Sequence, residues 1–207
     1  HLVEAQDDMG GTMRWIPELP GLGEWARIVN YRKIQLDKLK NVEFIPNMTL
    51  SAKDVAEYGA EIVIVATGSY WSTDGLNGAS HATIQGADAS LAWQATPDQI
   101  MGEGKQLPGE RVVVFDNDGY YMGVSLAEKL AEGKKVTLMT PMGHVASYMH
   151  FTLEAPNQHR RLHSLGVEIV PYHLPSRVEE GAVVATHVYD VDGHEQTFPA
   201  DSVVWVV

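Results

Sequence analysis

The sequence predicts an α/β protein built from two βαβ domains in tandem, the second closed by an antiparallel β-meander. Apolar runs of strand length alternate with segments of helical period along most of the 207 residues. The run "AEIVIVATGS" (60–69) is continuously apolar and is bounded by glycine, which is typical of a central parallel strand. Near the end of the chain the pattern changes to apolar–polar alternation around Asp192 and Gly193, which indicates a hairpin turn.

The first domain is predicted over residues 1–75. It opens with a short strand, "HLVEA" (1–5), and a Gly/Pro-rich connection leads to a helix over 24–40, where apolar residues recur with a helical period. A strand over 41–50 follows, then a short helix for which Ser51 is the expected N-cap. The strand over 60–69 completes this βαβ arrangement.

The second domain is predicted over residues 76–207. Residues 70–108 show little periodicity, and we expect a crossover there with a helical turn near 97–101. Regular elements begin after it, as strands at 111–116, 135–140 and 167–172 and helices at 122–133 and 152–165.

Composition excludes several classes of function. The chain carries 15 basic and 27 acidic residues, a formal charge of -12, and no Lys/Arg stripe, so it is not expected to bind nucleic acid. No apolar run reaches about 18 residues, so no membrane-spanning helix is expected. Cysteine is absent, which excludes disulfides, thiolate metal sites and a cysteine nucleophile within this stretch. Strand-like residues stand at both ends, so we expect the chain to be an excerpt of a longer one.

An acidic residue after the first predicted strand indicates a nucleotide site. In βαβ nucleotide sites, a carboxylate at the end of the second strand accepts hydrogen bonds from ribose hydroxyls. Glu4 has this position if the Gly-rich phosphate loop lies upstream of the chain. Gly10 and Gly11 suit a backbone that passes close to a phosphate or ribose, and "ATG" (66–68) lies at the pyrophosphate end. The alternative for Glu4 alone is a solvated carboxylate at a strand end.

The loop at 116–123 of the second domain does not suit a dinucleotide. A working loop needs glycine at three positions, and no frame through "DNDGYYMG" supplies them. Carboxylates at Asp116 and Asp118 would repel a pyrophosphate. The next strand ends in Thr140-Pro141-Met142, which offers neither an acid for a ribose nor an arginine for a 2′-phosphate. We therefore expect no NAD(P) binding here, with tyrosines filling the former cavity.

Several stretches carry a resemblance to a known family. These are "DDMGGTM", "LPGLGEW", "EIVIVATGSYWSTDG", "YYMGVSLAEKLAEGKKVTL" and "YMHFTLEAPNQHRRLHSLGVE". They resemble the C-terminal part of the iron–sulfur flavoprotein amine dehydrogenases, the group of the trimethylamine, dimethylamine and histamine enzymes. The segment "MRWIPELPG" favours the histamine type within this group.

The resemblance implies an enzyme much larger than this chain. It implies two tandem glutathione-reductase-like domains with ADP bound in the first, and FMN and a 4Fe–4S cluster in a missing N-terminal part. The enzyme would oxidatively deaminate a small amine and pass electrons to an electron-transferring flavoprotein or similar carrier. A homodimer in the bacterial cytoplasm is expected. The residues expected to hold ADP, or FAD as the alternative, are Glu4, Ala5, Gln6, Gly10, Gly11, Met48, Thr49, Ala66, Thr67 and Gly68.

Two other functions remain open at this point. One is an NAD(P)H-dependent flavoprotein reductase of the 2,4-dienoyl-CoA reductase type, which the loop at 116–123 disfavours. The other is a nucleotide-binding scaffold without chemistry. No catalytic residue is assigned within the chain. His159 and His163 have a spacing that can chelate a metal on a helix, but without a third ligand we expect a solvated basic face and no metal site.

Overall fold

A computed structural model describes all 207 residues, which separate into two units, 1–69 and 70–207. Each unit has its own secondary structure and is described by itself. None of the helices combines the length and the apolar character that crossing a bilayer requires.

The first unit contains a small parallel β-pair and two helices. Strand β1 (Leu2–Val3) pairs with β2 (Phe44–Ile45), and helices α1 (Ala26–Leu36) and α2 (Ala52–Tyr58) follow β1 and β2 along the chain. Short 3-10 turns fill the Gly/Pro-rich connection before α1, at Gly11–Arg14, Ile16–Glu18 and Gly23–Trp25. The predicted cap of α2 is confirmed.

The cap of α2 is a reciprocal pair of hydrogen bonds. The Ser51 hydroxyl accepts the Asp54 N–H at 3.2 Å, and the Asp54 carboxylate accepts the Ser51 N–H at 2.8 Å. Gly59 ends the helix in the left-handed conformation that glycine adopts without steric cost.

The predicted strand over 60–69 is wrong in this structure. The segment has no regular structure, and Ile62 and Ile64 are 81% and 85% exposed. A β-strand is stabilised by hydrogen bonds to a neighbour, and no other strand pairs with this segment. Its apolar composition is that of a buried strand, but composition alone cannot supply the neighbour that the strand requires.

The second unit is organised around a five-stranded parallel sheet of order β3-β10-β4-β5-β6. Its regular elements follow the predicted ones closely. The strands are β3 (Gln94–Ala95), β4 (Arg111–Asp116), β5 (Lys135–Met139), β6 (Glu168–Val170) and β10 (Ser202–Val206), and the helices are α3 (Tyr121–Ala131) and α4 (Ala155–Ser164). The predicted helical turn is present as a π-helical segment, Asp98–Gly102, and a 3-10 turn, Ser147–His150, precedes α4.

Three antiparallel strands connect β6 to β10. They are β7 (His173–Glu179), β8 (Gly181–His187) and β9 (Glu195–Ala200), and the β8–β9 hairpin confirms the predicted turn. The last strand does not extend this meander. Instead, β10 returns to the parallel sheet and lies between β3 and β4, where all five of its residues are buried.

Buried aromatic and polar groups hold the centre of the parallel sheet. Trp205 and Phe115 contact edge to face with ring centroids 6.3 Å apart. The Trp205 indole N–H donates to the Gln94 side-chain oxygen at 2.8 Å, so this buried polar atom has the partner that it needs. At the amino-terminal ends of β4 and β10, the Asp201 carboxylate accepts the backbone N–H of Arg111 at 2.9 Å and pairs with its guanidinium.

Candidate nucleotide site and the loop after strand β4

The carboxyl ends of β1 and β2 bring part of the predicted nucleotide site together. The Glu4 N–H donates to the Ile45 carbonyl at 3.0 Å, and the Met48 N–H donates to the Glu4 carbonyl at 2.9 Å. Two residues further, the Asn47 N–H donates to the Gln6 carbonyl at 2.9 Å. These bonds place Glu4, Gln6 and Met48 side by side at one edge, with Ala5 between the first two.

The Glu4 side chain is held in place and remains accessible. One carboxylate oxygen accepts the N–H of Gln6 at 3.0 Å, and the residue is only partly buried. A carboxylate has capacity for about four hydrogen bonds, so it can still accept from a ligand. Met48 and Thr49, which follow β2, are exposed beside it.

Polar pairs fix the turn that follows Glu4. The Arg14 guanidinium donates to Gln6 at 3.0 Å and to Asp7 at 2.8 Å. Lys33, in α1, forms an ion pair with Asp8, and this contact holds the pKa of the Asp8 carboxyl below its usual range. Hydrogen bonds within the turn and an ion pair to α1 therefore hold the turn in place.

The two adjacent glycines have different roles in this turn. Gly10 has a φ of +126°, and a Cβ there would lie 3.1 Å from the Val29 side chain, so it is needed for close packing on α1. Gly11 has a φ of +51° with open space around it. Of the two glycines, only Gly11 has room for a ligand to contact its backbone, although the sequence predicted such a contact for both.

The remaining predicted residues are not joined to this edge. Ala66, Thr67 and Gly68 lie in the irregular segment over 60–69, and no hydrogen bond links them to Glu4 or Gln6. Gly68 has a φ of +77° and open surroundings. The backbone hydrogen bonds therefore join the residues expected at the ribose and adenine, and they do not include the residues expected at the pyrophosphate.

In the second unit, Asp116 occupies the turn that a phosphate loop would use. The residue ends β4 and is fully buried. Its Oδ1 accepts the N–H groups of Asp118 and Gly119, each at 3.0 Å. In a phosphate loop, backbone N–H groups at such a turn are donated to the ligand. Here a carboxylate of the chain itself accepts them.

The second oxygen of Asp116 is buried without a hydrogen-bond partner. Burial, together with the nearby Asp118 carboxylate, outweighs the two N–H bonds that lower the pKa of this carboxyl, and raises it from 3.8 to about 7. Gly123, at the start of α3, faces this group, because a Cβ there would collide with the Asp116 carboxyl. The Asp116 carboxyl thus fills the space inside this loop, where a phosphate loop would hold its ligand.

Tyrosines pack around the same loop. The rings of Tyr120 and Tyr121 contact edge to face at 4.8 Å, and Tyr120 stacks on Tyr148 at 6.4 Å. The Tyr148 N–H donates to the Gly119 carbonyl at 2.9 Å, which ties the loop to the 3-10 turn before α4.

Sequence reasoning treated Asp116 only as a charge that would repel phosphate and missed its role in closing the turn. A signal was available. Asp followed by a turn commonly accepts the N–H groups two and three residues later, and Asp116 does this with Asp118 and Gly119.

Comparisons with known proteins agree on one group. The profile of the family described as the OYE-like second alpha/beta domain matches residues 95–203. The chain is similar to dimethylamine dehydrogenase of Hyphomicrobium sp. (strain x), with 41% identity over 204 residues, which is 96% of this chain and 27% of that protein.

Two solved structures are similar over nearly the whole chain. Histamine dehydrogenase from Rhizobium sp. 4-9 superposes with a TM-score of 0.91 at 37% identity, covering 100% of this chain and 31% of that one. 6-Hydroxypseudooxynicotine amine oxidase from Pseudomonas geniculata N1 superposes with a TM-score of 0.90 at 34% identity, covering 99% of this chain and 30% of that one. The chain thus spans less than a third of the length of each of these three relatives.

Proposed function

Because the chain belongs to the family of OYE-like second alpha/beta domains, we propose that it is the non-catalytic, ADP-binding portion of an amine dehydrogenase. The whole protein would oxidatively deaminate a small amine with FMN and a 4Fe–4S cluster, both held outside this chain. The observation that carries this proposal is the 41% identity to dimethylamine dehydrogenase over 96% of the chain.

ADP would bind at the edge where β1 and β2 end. Its ribose hydroxyls would donate to the accessible oxygen of Glu4, the interaction that strand-end acids make in nucleotide-binding βαβ units. The exposed Met48 and Thr49 would lie against the adenine. The phosphates would approach Gly11, which has open space around it. In this proposal, the site would belong to the first of two tandem glutathione-reductase-like domains.

The second unit would bind no NAD(P). The N–H groups of Asp118 and Gly119, which a coenzyme phosphate would need, already donate to Asp116. Opening this turn would leave a buried carboxylate without its donors, next to a pyrophosphate of the same charge. This geometry favours the amine dehydrogenase over the NAD(P)H-dependent reductase.

Further parts of the proposal rest on the family resemblance. Electrons would leave the whole protein to an electron-transferring flavoprotein or a similar carrier. The protein would be a homodimer in the bacterial cytoplasm.

The proposal is tested by identifying what the full-length protein carries. Denaturation followed by mass spectrometry should release one ADP per chain and no FAD, and the protein should contain flavin mononucleotide and iron. FAD together with NADH binding would indicate the reductase instead. A nucleotide without flavin or iron would indicate the scaffold.

The role of Glu4 is tested by Glu4→Gln, which keeps the side-chain shape and removes the charge. Hydrogen bonds to charged groups contribute about 1.5–3 kcal/mol, so ADP affinity should fall by about 10- to 100-fold. Glu43→Gln is the matched control, because Glu43 lies at the other end of the β1–β2 pair. Equal ADP occupancy in the two variants would contradict the assigned edge.

A further inference from the structure

Three histidines from different segments meet on the surface of the second unit. His144 lies in the loop after β5, His150 ends the 3-10 turn, and His159 lies in α4. Their rings line one depression of about 430 Å³ together with Ala155 and Pro156. The ring centroids of His144 and His150 are 4.6 Å apart, and those of His144 and His159 are 6.2 Å apart.

The ring nitrogens of two of these histidines converge. The Nε2 atoms of His144 and His150 are 2.8 Å apart. Two neutral imidazoles can hold this geometry by sharing one proton, or they can direct two lone pairs to one cation. Zn–N bonds of about 2.0–2.1 Å at a tetrahedral centre place two ligand nitrogens roughly 3.3 Å apart. The rings therefore need to open by only about 0.5 Å to hold a zinc ion.

The third histidine makes the hydrogen bond that metal-binding histidines commonly make, although its ring, centred 6.2 Å from that of His144, must turn toward the other two to share an ion. A backbone carbonyl can only accept, so the 2.8 Å contact between His159 Nε2 and the Val145 carbonyl makes Nε2 the donor. Its Nδ1 then carries the lone pair. In metal sites the outer ring nitrogen usually donates to a carbonyl or carboxylate, which fixes the ring and its tautomer.

We propose that His144, His150 and His159 form a binding site for a late first-row divalent ion such as Zn²⁺, with water completing the coordination. Imidazole ligands suit zinc, copper and nickel rather than magnesium or calcium. From the sequence alone, His159 could be paired only with His163, four residues later on α4, and no metal site was expected. The fold instead joins His159 to two histidines from segments before the helix, so the third ligand comes from tertiary structure.

Zinc titration of the full-length protein tests this site. Isothermal calorimetry with ZnCl₂ should show one site per chain that weakens at least tenfold in His144→Ala, in His150→Ala and in His159→Ala. His163→Ala, on the same helix, is the matched control and should stay within twofold of the parent protein. His194→Ala controls for the turn where His194 and two aspartates lie close enough to share an ion.

Zinc-edge X-ray absorption gives a second readout that is separate from iron in the protein. It should show three imidazole nitrogens at about 2.0 Å from the zinc, and a shell with only two would remove His159 from the site. A coordination shell without imidazole would overturn the proposal. An equal loss of affinity in His163→Ala or His194→Ala, or unchanged affinity in the His144→Ala/His150→Ala double variant, would also overturn it. The three ligand residues are exposed or half-buried, so unchanged thermal unfolding should accompany each substitution.

Discussion

Replacing Asp116 by Asn should make the second unit more stable at alkaline pH and much less sensitive to pH. The Asn side chain keeps the oxygen that accepts the N–H groups of Asp118 and Gly119. It removes a charge from a site where the second carboxylate oxygen is buried without a partner. The benefit should grow as the pH rises from 3.8 to about 7, because the unfolded parent chain ionises over this range, whereas Asn stays neutral in both states.

The magnitude follows from the pKa of the group. Burial raises this pKa from 3.8 to about 7, so the unfolded chain releases the proton first as the pH rises. The folded state is favoured most below pH 3.8, and stability is lost progressively up to about pH 7. The full shift corresponds to on the order of 4 kcal/mol. About 3 kcal/mol of it falls between about pH 5 and about pH 8.5.

Native-state hydrogen exchange of the full-length protein measures this effect locally. Peptides covering β4 and β10 report the free energy of opening the parallel sheet. At each pH, the free energy of opening is measured for Asp116→Asn and for the parent protein. The advantage of the variant should grow by about 3 kcal/mol from about pH 5 to about pH 8.5. Asp192→Asn, in the exposed hairpin turn, controls for removing one negative charge from the chain. A difference that is the same at both pH values would refute the assignment of a buried, proton-retaining acid.

Two further predictions concern the second unit. Gly86→Ala should destabilise it by roughly 3 kcal/mol, because Gly86 has a φ of +80° and a Cβ would overlap the Val178 carbonyl. Gly104→Ala is the control and should cost only about 1 kcal/mol, because Gly104 has a φ of +74° but open space around it. Similar melting temperatures for the two variants would contradict this account. Asp201→Asn should destabilise the same sheet at neutral pH, because hydrogen bonds from Arg111 hold the pKa of Asp201 well below its usual range. The stability from Asp201 is present above about pH 4 and is lost as the pH falls, so hydrogen exchange of β4 should differ between parent and variant at pH 7 and converge in strong acid.

Elements with a complete local signal could be predicted from the sequence. The apolar run of β4 and the helical period of α3 gave elements within one residue of those observed at their starts. Ser51 was recognisable as a cap because its partner, Asp54, is three residues away. The turn at Asp192 and Gly193 joins strands that are adjacent in sequence, so the hairpin needed no distant information.

Elements that depend on distant partners could not be predicted in the same way. The segment over 60–69 has the composition of a central strand, yet it stays irregular because no strand lies beside it. The last strand, β10, looked like the end of a meander, and only its pairing with β3 and β4 shows it to be an inner strand of the parallel sheet.

The candidate sites divide along the same line. Amino-acid identity was enough to show that the loop at 116–123 lacks the glycines of a phosphate loop and that Glu4 follows a strand. Only the folded chain shows that Asp116 accepts the amides of its own turn, and that His144 and His150 meet His159. Periodicity and turn chemistry act over a few residues and can be recognised along the chain. Strand order, burial of a charge and convergence of side chains are set by contacts between residues far apart in sequence, which only the tertiary structure supplies.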